Sequence, residues 1–471
     1  MNRPFLLFIT CDELNKQALS IYGNRAISTP NIDKIAESGI RFDNAHTVSP
    51  WCLPARCAML TGLYPHKSGA YSNFRKCPLD TGVPNMFKAL KGAGYHVSMF
   101  GKCHFAPVPY GRTRPDMTLP YDEFKDYYMS LGLDHLELQD DKQVSVWFMD
   151  DWAKDAAKDG TLESYRSAVW SREYSKVFPF PAREEMHPDI WVADKAVSYI
   201  ENADTNSPMF TWVSFSGPHY PMDSPQSYID RVDTSRLTPT VFSEGELDSP
   251  DRIHHRSYHG GGNIDGSHPA PDGGCKNYSK EYWERMRTNY NANVLLIDDM
   301  VGRIVKAARD KYGDNVVTVF TADHGDMLGD HGLWGKHNCA YSQVWSIPLF
   351  LSYPEKVSAG QVSTALANTC DILPTLVNAA EGESVSCDGT DLLSQISREY
   401  TFAEGEGFIA VTDGKYKYVH VQKRGENYRE LLDCVSDPHE FENKYGEDEY
   451  SSVLARLSGK VIEHFMGKVL P

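Results

Sequence analysis

Three runs of mostly apolar residues constrain the fold of this chain more than any other feature of its sequence. They span residues 5–10, 209–215 and 315–321. A short run that is almost entirely apolar is typical of a strand buried on both faces, as in a parallel sheet covered by helices. Residues 96–100 and 347–352 are further strand candidates, and apolar residues recur at helical spacing from Tyr290 to Ile304. We therefore predict an α/β fold with a large mixed, mostly parallel sheet flanked by helices.

Polar residues follow four of these strands at the carboxyl end, where ligands bind in open α/β sheets. They are Asp12 after the first run, Lys102 and His104 after residues 96–100, His219 after residues 209–215, and Asp323 with His324 after residues 315–321. Each alone is weak evidence, because a strand-end carboxylate is usually a turn former and a lysine is usually a solvated surface charge. These side chains meet only if the strands are neighbours in one sheet, which the sequence alone does not show.

Residues 50–62 combine a cysteine, a proline and an arginine at the start of an apolar segment. The spacing Cys52-x-Pro54-x-Arg56 predicts a helix that Pro54 starts, because the missing proline N–H costs nothing in the first turn. Cys52 would then lie just before the helix N-terminus, where free N–H groups favour an anion and acidify a thiol. Arg56 returns to the same face as Cys52. Taken alone, the stretch is equally compatible with a buried cysteine before an ordinary helix.

This stretch resembles the signature of the formylglycine-dependent (type I) sulfatases, a family of the alkaline phosphatase superfamily. The resemblance extends through several ordered blocks of the chain. They are residues 19–24, 29–33 and 39–42 upstream, and Gly94-Tyr95 and Gly101-Lys102-Cys103-His104 downstream. The resemblance implies a sulfuric ester hydrolase that cleaves the S–O bond of a sulfate monoester, built on an alkaline phosphatase-like sheet.

The resemblance also implies a metal centre. Asp12, Asp323, His324 and an oxygen of modified Cys52 match the family's ligands for one divalent metal, which the family resemblance suggests is calcium. The sequence departs from the commoner pattern, because Cys11 stands where many sulfatases have a first aspartate. A thiol is a poor ligand for Ca²⁺ and an imidazole suits Mn²⁺ or another transition metal, so these metals stay open. Such single-aspartate starts also resemble choline sulfatases and phosphonate monoester hydrolases.

The resemblance assigns catalytic roles to a set of six residues. They are Cys52, Arg56, Lys102, His104, His219 and Lys336. Cys52, oxidised to formylglycine (3-oxoalanine) by a maturation enzyme, supplies a gem-diol whose ionised oxygen attacks sulfur. Lys102 and Lys336 balance the charge of the sulfate oxygens. His219 acts on the leaving alcohol, and His104 removes the second diol proton so that the hemiacetal expels sulfate.

The predicted substrate is a small sulfated sugar or an alkyl or aryl sulfate. The residues assigned to it by resemblance are Asn73, Lys102, His219 and Lys336. A phosphonate monoester or phosphodiester hydrolase with the same site is the alternative, because it also handles a tetrahedral anion with one alcohol leaving group. A non-catalytic anion-binding relative is a third reading, which the complete set of catalytic residues disfavours.

The composition argues against several other classes of function. A net charge of −17 disfavours a nucleic-acid or anionic-membrane binder, since both need a basic face. The sequence contains no run of about 18 apolar residues that would predict a membrane span. The apolar start is too short for a signal peptide, and the ten cysteines form no CxxC pair, so we predict a cytoplasmic enzyme with reduced thiols. A homo-oligomer is compatible with the sequence.

After about residue 396 the sequence pattern changes from that of the catalytic part to that of a small antiparallel sheet. We predict a catalytic domain over residues 1–395, with inserts near 107–190 and 222–280. The second insert is predicted to be loop-like because of its glycines and prolines. Residues 396–471 are predicted to form a small C-terminal subdomain, an antiparallel sheet with one helix and a hairpin turn at Asp413-Gly414.

Overall fold

The protein is described by a computed structural model. It covers residues 3–73, 77–107, 121–142, 146, 149–170, 177–204, 206–260, 274–336, 338–423 and 425–466. The strands of its first part are β1 Phe5–Asp12, β2 Ile40–Phe42, β3 Ala45–His46, β4 His96–Gly101, β5 His135–Leu138, β6 Met209–Pro218, β7 Val316–Ala322, β8 Leu349–Ser352, β9 Gln361–Ser363 and β10 Ala367–Asn368. Within the described residues, eight of these strands form one sheet in the order β5-β4-β6-β1-β7-β8-β2-β9.

The first five strands of that order are mutually parallel, and β8 is antiparallel to both of its neighbours. Every residue of β1, β6 and β7 is buried, as expected of central strands that are covered on both faces. Leu7 of β1 lies beside Thr211 of β6 and Thr318 of β7, so the three strands end at the same edge of the sheet. The predicted mostly parallel sheet is confirmed.

Helices flank this sheet. In chain order they are α1 Pro30–Glu37, α2 Cys52–Thr61, α3 Pro65–Ser68, α4 Met86–Gly92, α5 Tyr121–Ser130, α6 Asp151–Asp159, α7 Leu162–Trp170, α8 Pro188–Asn202, α9 Gln226–Ile229, α10 His255–His259, α11 Lys280–Tyr312, α12 Ser342–Trp345, α13 Ile372–Ala379 and α14 Ser451–Met466. Helices α8 and α11 pack against each other and over β6. Helix α4 packs on β4 and places the ring of Phe87 5.9 Å from that of Trp212. No described helix is both long and apolar enough to cross a bilayer.

Apart from the short parallel pair of β3 and β10, the C-terminal part forms a second sheet. Its strands, β11 Thr401–Gly405, β12 Phe408–Thr412, β13 Tyr416–Lys423 and β14 Glu426–Asp433, are antiparallel in chain order. The predicted hairpin at Asp413-Gly414 is confirmed, and α14 buries Leu457 in a cluster with Val411 and Tyr418. The boundary at residue 395 stays a prediction, although all four strands of the second sheet follow it.

The two predicted inserts are more ordered than their sequences suggest. The first contains α5, α6 and α7, and also β5, which we did not predict. The second was expected to be loop-like, and most of the described residues 222–260 do lie outside helices and strands, but Leu247 and Ile253 are buried there. The glycine- and proline-rich residues 261–273 lie outside the described residues. Apolar side chains spaced too irregularly for helix or strand still pack against the main body, which periodicity does not reveal.

Candidate active site

Charged side chains meet at the carboxyl edge of the five parallel strands. Asp12 ends β1, Asp323 follows β7, Lys102 follows β4 and His219 follows β6. The fifth strand, β5, is followed by Asp141, and all five side chains are buried. Because the five strands are adjacent in the sheet, residues far apart in sequence lie around one point. The structure therefore brings together the strand-end residues that the sequence singles out.

Helix α2 carries Cys52 into this cluster. It begins at Cys52 itself, so the prediction that Pro54 starts the helix is wrong by two residues, and Pro54 lies within the first turn. A proline is tolerated anywhere in that turn, because its missing N–H would have no intrahelical partner. The backbone N–H of Leu53 donates to Asn73 Oδ1 at 3.0 Å. Asn73 thus satisfies one of the helix's orphan donors beside Cys52.

Four side chains form a group with the chemistry of a metal centre. One ligand-type atom from each of Asp12, Cys52, Asp323 and His324 lies within 4.8 Å of the others. His324 Nδ1 contacts the carbonyl oxygen of Gly325 at 3.0 Å and must donate to it, so Nε2 carries the free electron pair. That Nε2 lies 3.2 Å from Cys52 Sγ. The backbone carbonyl thus fixes the imidazole in a ligand's orientation.

The carboxylates of this group suit a divalent cation. Asp12 Oδ1 is fully buried, and no hydrogen-bond donor within the described residues reaches it. Asp323 Oδ1 is oriented by the backbone N–H groups of Glu13 and His324, at 3.0 and 2.9 Å. Two carboxylates, an imidazole and an atom of residue 52 are ligands that Mn²⁺ and similar cations take readily. Cys11 is not part of the group, and burial raises the pKa of its thiol well above the usual value.

Arg56 connects the group of candidate metal ligands with residues of β4 and β6 or just beyond them. Its Nε donates to Asp323 Oδ2 at 2.8 Å, and its Nη1 donates to the Lys102 carbonyl at 2.9 Å and to Ser214 Oγ at 2.7 Å. Burial, followed by the neighbouring Asp12, raises the pKa of Asp323 to about 6, and Arg56 opposes that shift. The guanidinium therefore stabilises the ionised carboxylate that a metal ligand requires.

Lys102 lies between two carboxylates. Its ammonium pairs with Asp12 and with Asp141, the latter at 3.2 Å. Burial alone would lower the pKa of Lys102, but Asp12 and then Asp141 hold it well above the usual value, so the side chain is cationic. Gly101, the residue before Lys102, has no room for a side chain, because a Cβ there would lie 2.0 Å from the carbonyl oxygen of Ser214.

His104 is buried close to Lys102, although not in the predicted way. We expected an extended exit from β4 that would point both side chains in one direction, but His104 has a φ of 50°. Its backbone N–H donates to Asp140 Oδ1 at 2.8 Å, and that of Cys103 donates to the same oxygen at 2.9 Å. Asp140 therefore holds the turn. Burial, with Lys102 next, lowers the pKa of His104 well below the usual value.

His219, Glu13 and Lys336 form a buried chain beside Cys52. Lys336 Nζ lies 3.1 Å from Cys52 Sγ and 3.3 Å from Glu13 Oε2, and His219 Nε2 lies 3.2 Å from the same oxygen. His219 Nδ1 donates to the Tyr220 carbonyl at 2.7 Å, so the contact between Nε2 and Glu13 requires a proton on one of these two atoms. Burial raises the pKa of Glu13 and lowers that of His219, which places the shared proton on Glu13.

The thiol of Cys52 is not acidified, contrary to the expectation from its helix position. Burial, followed by the charge of Asp12, raises its pKa to about 12, while Lys336 and Lys102 oppose the shift. Cys52 is only 1% exposed. The loss of hydration therefore outweighs the helix N-terminus and the two ammonium groups. An unmodified Cys52 is a weak nucleophile at neutral pH.

Two family models match the sequence. The model described as Sulfatase matches residues 4–382, and the model described as N-sulphoglucosamine sulphohydrolase, C-terminal, matches residues 329–466. The chain belongs to the sulfatase family. The predicted family is therefore confirmed. The predicted class of reaction is confirmed with it, because sulfatases are sulfuric ester hydrolases.

Similar proteins align with nearly the whole sulfatase. It is 25% identical to an arylsulfatase of Clostridium perfringens, over 99% of this chain and 95% of the relative. It is 26% identical to a choline-sulfatase of Rhizobium meliloti, over 94% of this chain and 82% of the relative. The crystal structure of a phosphonate monoester hydrolase of Agrobacterium radiobacter superimposes with a TM-score of 0.77 at 22% identity, over 98% and 95% of the two chains. At that identity the likeness shows the fold alone, and it confirms the predicted fold class.

Two acidic residues of the sulfatase site were missed from the sequence. Asp141 follows β5, and the strand-end argument would have found it if residues 135–138 had been recognised as a strand. Glu13 adjoins Asp12, but its φ of 64° turns the chain and directs its carboxyl toward Lys336. A non-glycine residue with positive φ is uncommon, and no local sequence signal indicated one here.

Proposed function

We propose that this sulfatase hydrolyses the sulfate monoester of a small alcohol, with residue 52 as formylglycine and one divalent metal beside it. The observation that carries the proposal is the placement of Cys52. Its Sγ lies 3.2 Å from His324 Nε2 and 3.1 Å from Lys336 Nζ, within a group that also contains Asp12 and Asp323. A nucleophile at this position lies between the candidate metal ligands on one side and the ammonium of Lys336 on the other.

Asp12, Asp323 and His324 would hold the metal together with residue 52, and calcium or manganese both suit the proposal. When bound, the cation supplies Lewis-acid polarisation and charge neutralisation at the sulfate. The aldehyde of formylglycine supplies a hydrated nucleophile whose sulfate ester can break down as the aldehyde re-forms. Arg56 contributes by keeping Asp323 ionised and oriented at 2.8 Å.

Fixed cations would bind the sulfate oxygens. Lys336 Nζ lies 3.1 Å from Cys52 Sγ, the atom that an oxygen of the hydrated aldehyde would replace, so its ammonium can donate to an oxygen of the bound sulfate. Lys102 is the second ammonium of the site and is held in place by Asp12 and Asp141. Because both lysines are buried and already oriented, they can stabilise developing charge without reorganising. They also provide positive charge for an anionic substrate in a chain whose net charge is −17.

Proton transfer would involve three side chains. His219 Nε2 faces Glu13 at 3.2 Å, so Glu13 can pass its proton to Nε2, and Nε2 can then give that proton to the leaving alcohol, which leaves Glu13 as a carboxylate. His104, whose pKa burial holds low, is neutral and able to accept the second proton of the hydrated aldehyde. Asn73 Oδ1 is occupied by the Leu53 N–H at 3.0 Å, so only its Nδ2 amide group is available to a substrate oxygen.

A matched pair of esters tests this proposal. The sulfate and the methylphosphonate monoester of one nitrophenol would be assayed with purified enzyme of known aldehyde content. We expect kcat/KM for the sulfate to exceed that for the phosphonate by about tenfold or more, roughly 1.4 kcal/mol of transition-state preference. The reverse order would overturn the sulfate proposal in favour of a phosphonate hydrolase, the class of protein that shares this fold. Activity on neither ester or on any sulfated sugar or alkyl sulfate would indicate a non-catalytic relative.

Replacing His219 by alanine tests its role at the leaving group. Loss of a general acid should lower kcat/KM for an alkyl sulfate by about 10²–10⁴-fold, because a poor leaving group needs protonation. A nitrophenyl sulfate should lose much less, since nitrophenolate leaves without a proton. The measurement is the slope of log kcat/KM against leaving-group pKa for wild type and variant. Equal losses across the series would assign His219 to binding or structure instead.

A further inference from the structure

A second group of metal-ligating side chains lies outside the active site. His66, Glu404 and His464 each place one ligand-type atom within 4.8 Å of the other two. His66 Nδ1 lies 2.7 Å from Glu404 Oε1, and His464 Nε2 contacts that same oxygen. The two rings approach edge to face, with centroids 4.8 Å apart. We call these three residues the His–Glu–His cluster.

The cluster joins three separate parts of the chain. His66 belongs to α3, which follows the helix that carries Cys52, while Glu404 belongs to β11 and His464 to α14. The backbone N–H of His66 donates to Glu404 Oε2 at 3.0 Å, so the other carboxylate oxygen is directed toward both rings. The backbone N–H of Glu404 in turn donates to the Val48 carbonyl at 2.8 Å. The carboxylate is therefore oriented by main-chain groups, as carboxylate ligands of metals usually are.

Aromatic side chains surround the cluster. The Phe402 ring stacks on that of His464 with a centroid distance of 4.0 Å, and the Phe465 ring lies 5.1 Å from that of His66. The three side chains of the cluster are 5–10% exposed. A carboxylate and two imidazoles in an apolar setting are suitable ligands for a transition metal.

We propose that the His–Glu–His cluster binds a transition-metal cation of the Zn²⁺ type, separate from the catalytic metal. Two imidazole nitrogens and one carboxylate oxygen are a common ligand set for zinc, with solvent in the fourth position. On binding, each imidazole ligates through a nitrogen that bears no proton, so the protons that now lie between the rings and Glu404 are released to solvent or move to the other ring nitrogen. The cation takes their place between the same three side chains.

Such a metal would attach the C-terminal subdomain to the catalytic part. The ligands from β11 and α14 belong to the second sheet and its helix, and the ligand from α3 lies just beyond the helix that carries Cys52. A cation bound only by the folded chain stabilises it in proportion to the logarithm of its concentration over Kd. Zn²⁺ should therefore raise the melting temperature of the enzyme by several degrees without adding to catalysis.

Zinc titration of metal-stripped protein tests the proposal. We expect wild type to bind one more Zn²⁺ than the His464→Gln variant, or to bind it at least about 100-fold more tightly, which exceeds the loss typical of a supporting residue. The matched control is Glu463→Ala, whose exposed carboxylate on the same helix pairs with Lys460 at 2.8 Å and which should bind Zn²⁺ like wild type. Because both variants leave the catalytic group intact, the difference between them does not depend on the proposed function.

Each outcome of the titration either supports or overturns the proposed zinc site. Equal zinc stoichiometry, affinity and Zn²⁺-induced melting shift in wild type and folded His464→Gln would overturn the proposal and leave a metal-free hydrogen-bonded cluster. Equal losses in His464→Gln and Glu463→Ala would also overturn it, because they would indicate disturbance of the helix. If His464→Gln fails to fold, as judged by circular dichroism, His66→Gln carries the same comparison from a different element. A visible absorption band from Co²⁺ substitution that is lost in the variant would support the proposal.

Discussion

Protein in which residue 52 remains a cysteine should hydrolyse sulfate esters at least about 10³-fold more slowly than protein with an aldehyde there, a loss on the scale of removing a nucleophile. The Cys52 thiol is almost fully buried, and its pKa is raised to about 12, so little thiolate exists at neutral pH. A sulfate transferred to that sulfur would also lack the hemiacetal route for release. Mass spectrometry of the peptide spanning residues 44–67, combined with specific activity, would measure the dependence across several preparations.

The control for this prediction is another thiol on the same helix. Cys57 is fully buried on α2, but it lies outside the metal-type group, so Cys57→Ala should keep its activity per mole of aldehyde. Specific activity should rise in proportion to the aldehyde fraction in both proteins. An all-thiol preparation that turns over at the full rate would show that formylglycine is not required.

Replacing Arg56 by alanine should destabilise the fold by roughly 3–5 kcal/mol, the usual cost of leaving one partner of a buried ion pair alone. Arg56 and Asp323 are both fully buried and 2.8 Å apart, and the guanidinium also anchors the Lys102 carbonyl and the Ser214 hydroxyl. Without Arg56, less positive charge offsets the repulsion between the carboxylates of Asp323 and Asp12. The same variant should therefore lose bound metal from the active site. Denaturant unfolding with and without chelator, together with metal analysis, would measure both effects.

A surface ion pair provides the matched control. Arg41 Nε lies 2.7 Å from Asp43 Oδ1, close to the separation in the buried pair, but these side chains are 25% and 33% exposed. Arg41→Ala should thus cost only about 0–1 kcal/mol. If Arg56→Ala costs no more than Arg41→Ala, the buried guanidinium does not stabilise Asp323 as we infer. The loss of stability in Arg56→Lys should lie between those of Arg56→Ala and Arg41→Ala, since an ammonium keeps the charge but lacks the several N–H donors of the guanidinium.

Much of the central sheet could be predicted because its strands are nearly continuous apolar runs. Residues 5–10 and 209–215 are of this kind, and both lie inside strands of the structure. The missed strand, His135–Leu138, is only four residues long, and its half-buried side chains alternate with buried ones in a charged segment. Strand order depends on pairing between distant residues, so no local pattern could reveal that β5 and β4 extend the parallel edge.

The active site was predictable to the extent that its residues follow strands or occupy a motif. Asp12 and Asp323 were found in this way, and the structure places them in one group with Cys52. The left-handed backbone of Glu13 was not predictable, because the long-range bond from its N–H to Asp323 helps to fix it. The pKa of the thiol was predicted with the wrong sign, because the helix position can be read from the sequence and the degree of burial cannot.

The burial of α2 also limits when its cysteine can be modified. Every residue of the helix is buried, so a second enzyme has no access to Cys52 once the chain has folded. If residue 52 is oxidised, the oxidation must precede closure of the sheet and helices around it. The two processes then compete in time, and the aldehyde fraction of a preparation reflects the ratio of their rates. A variant that folds faster would leave more thiol behind, and slower synthesis or folding in the producing cell would yield more active molecules from the same gene.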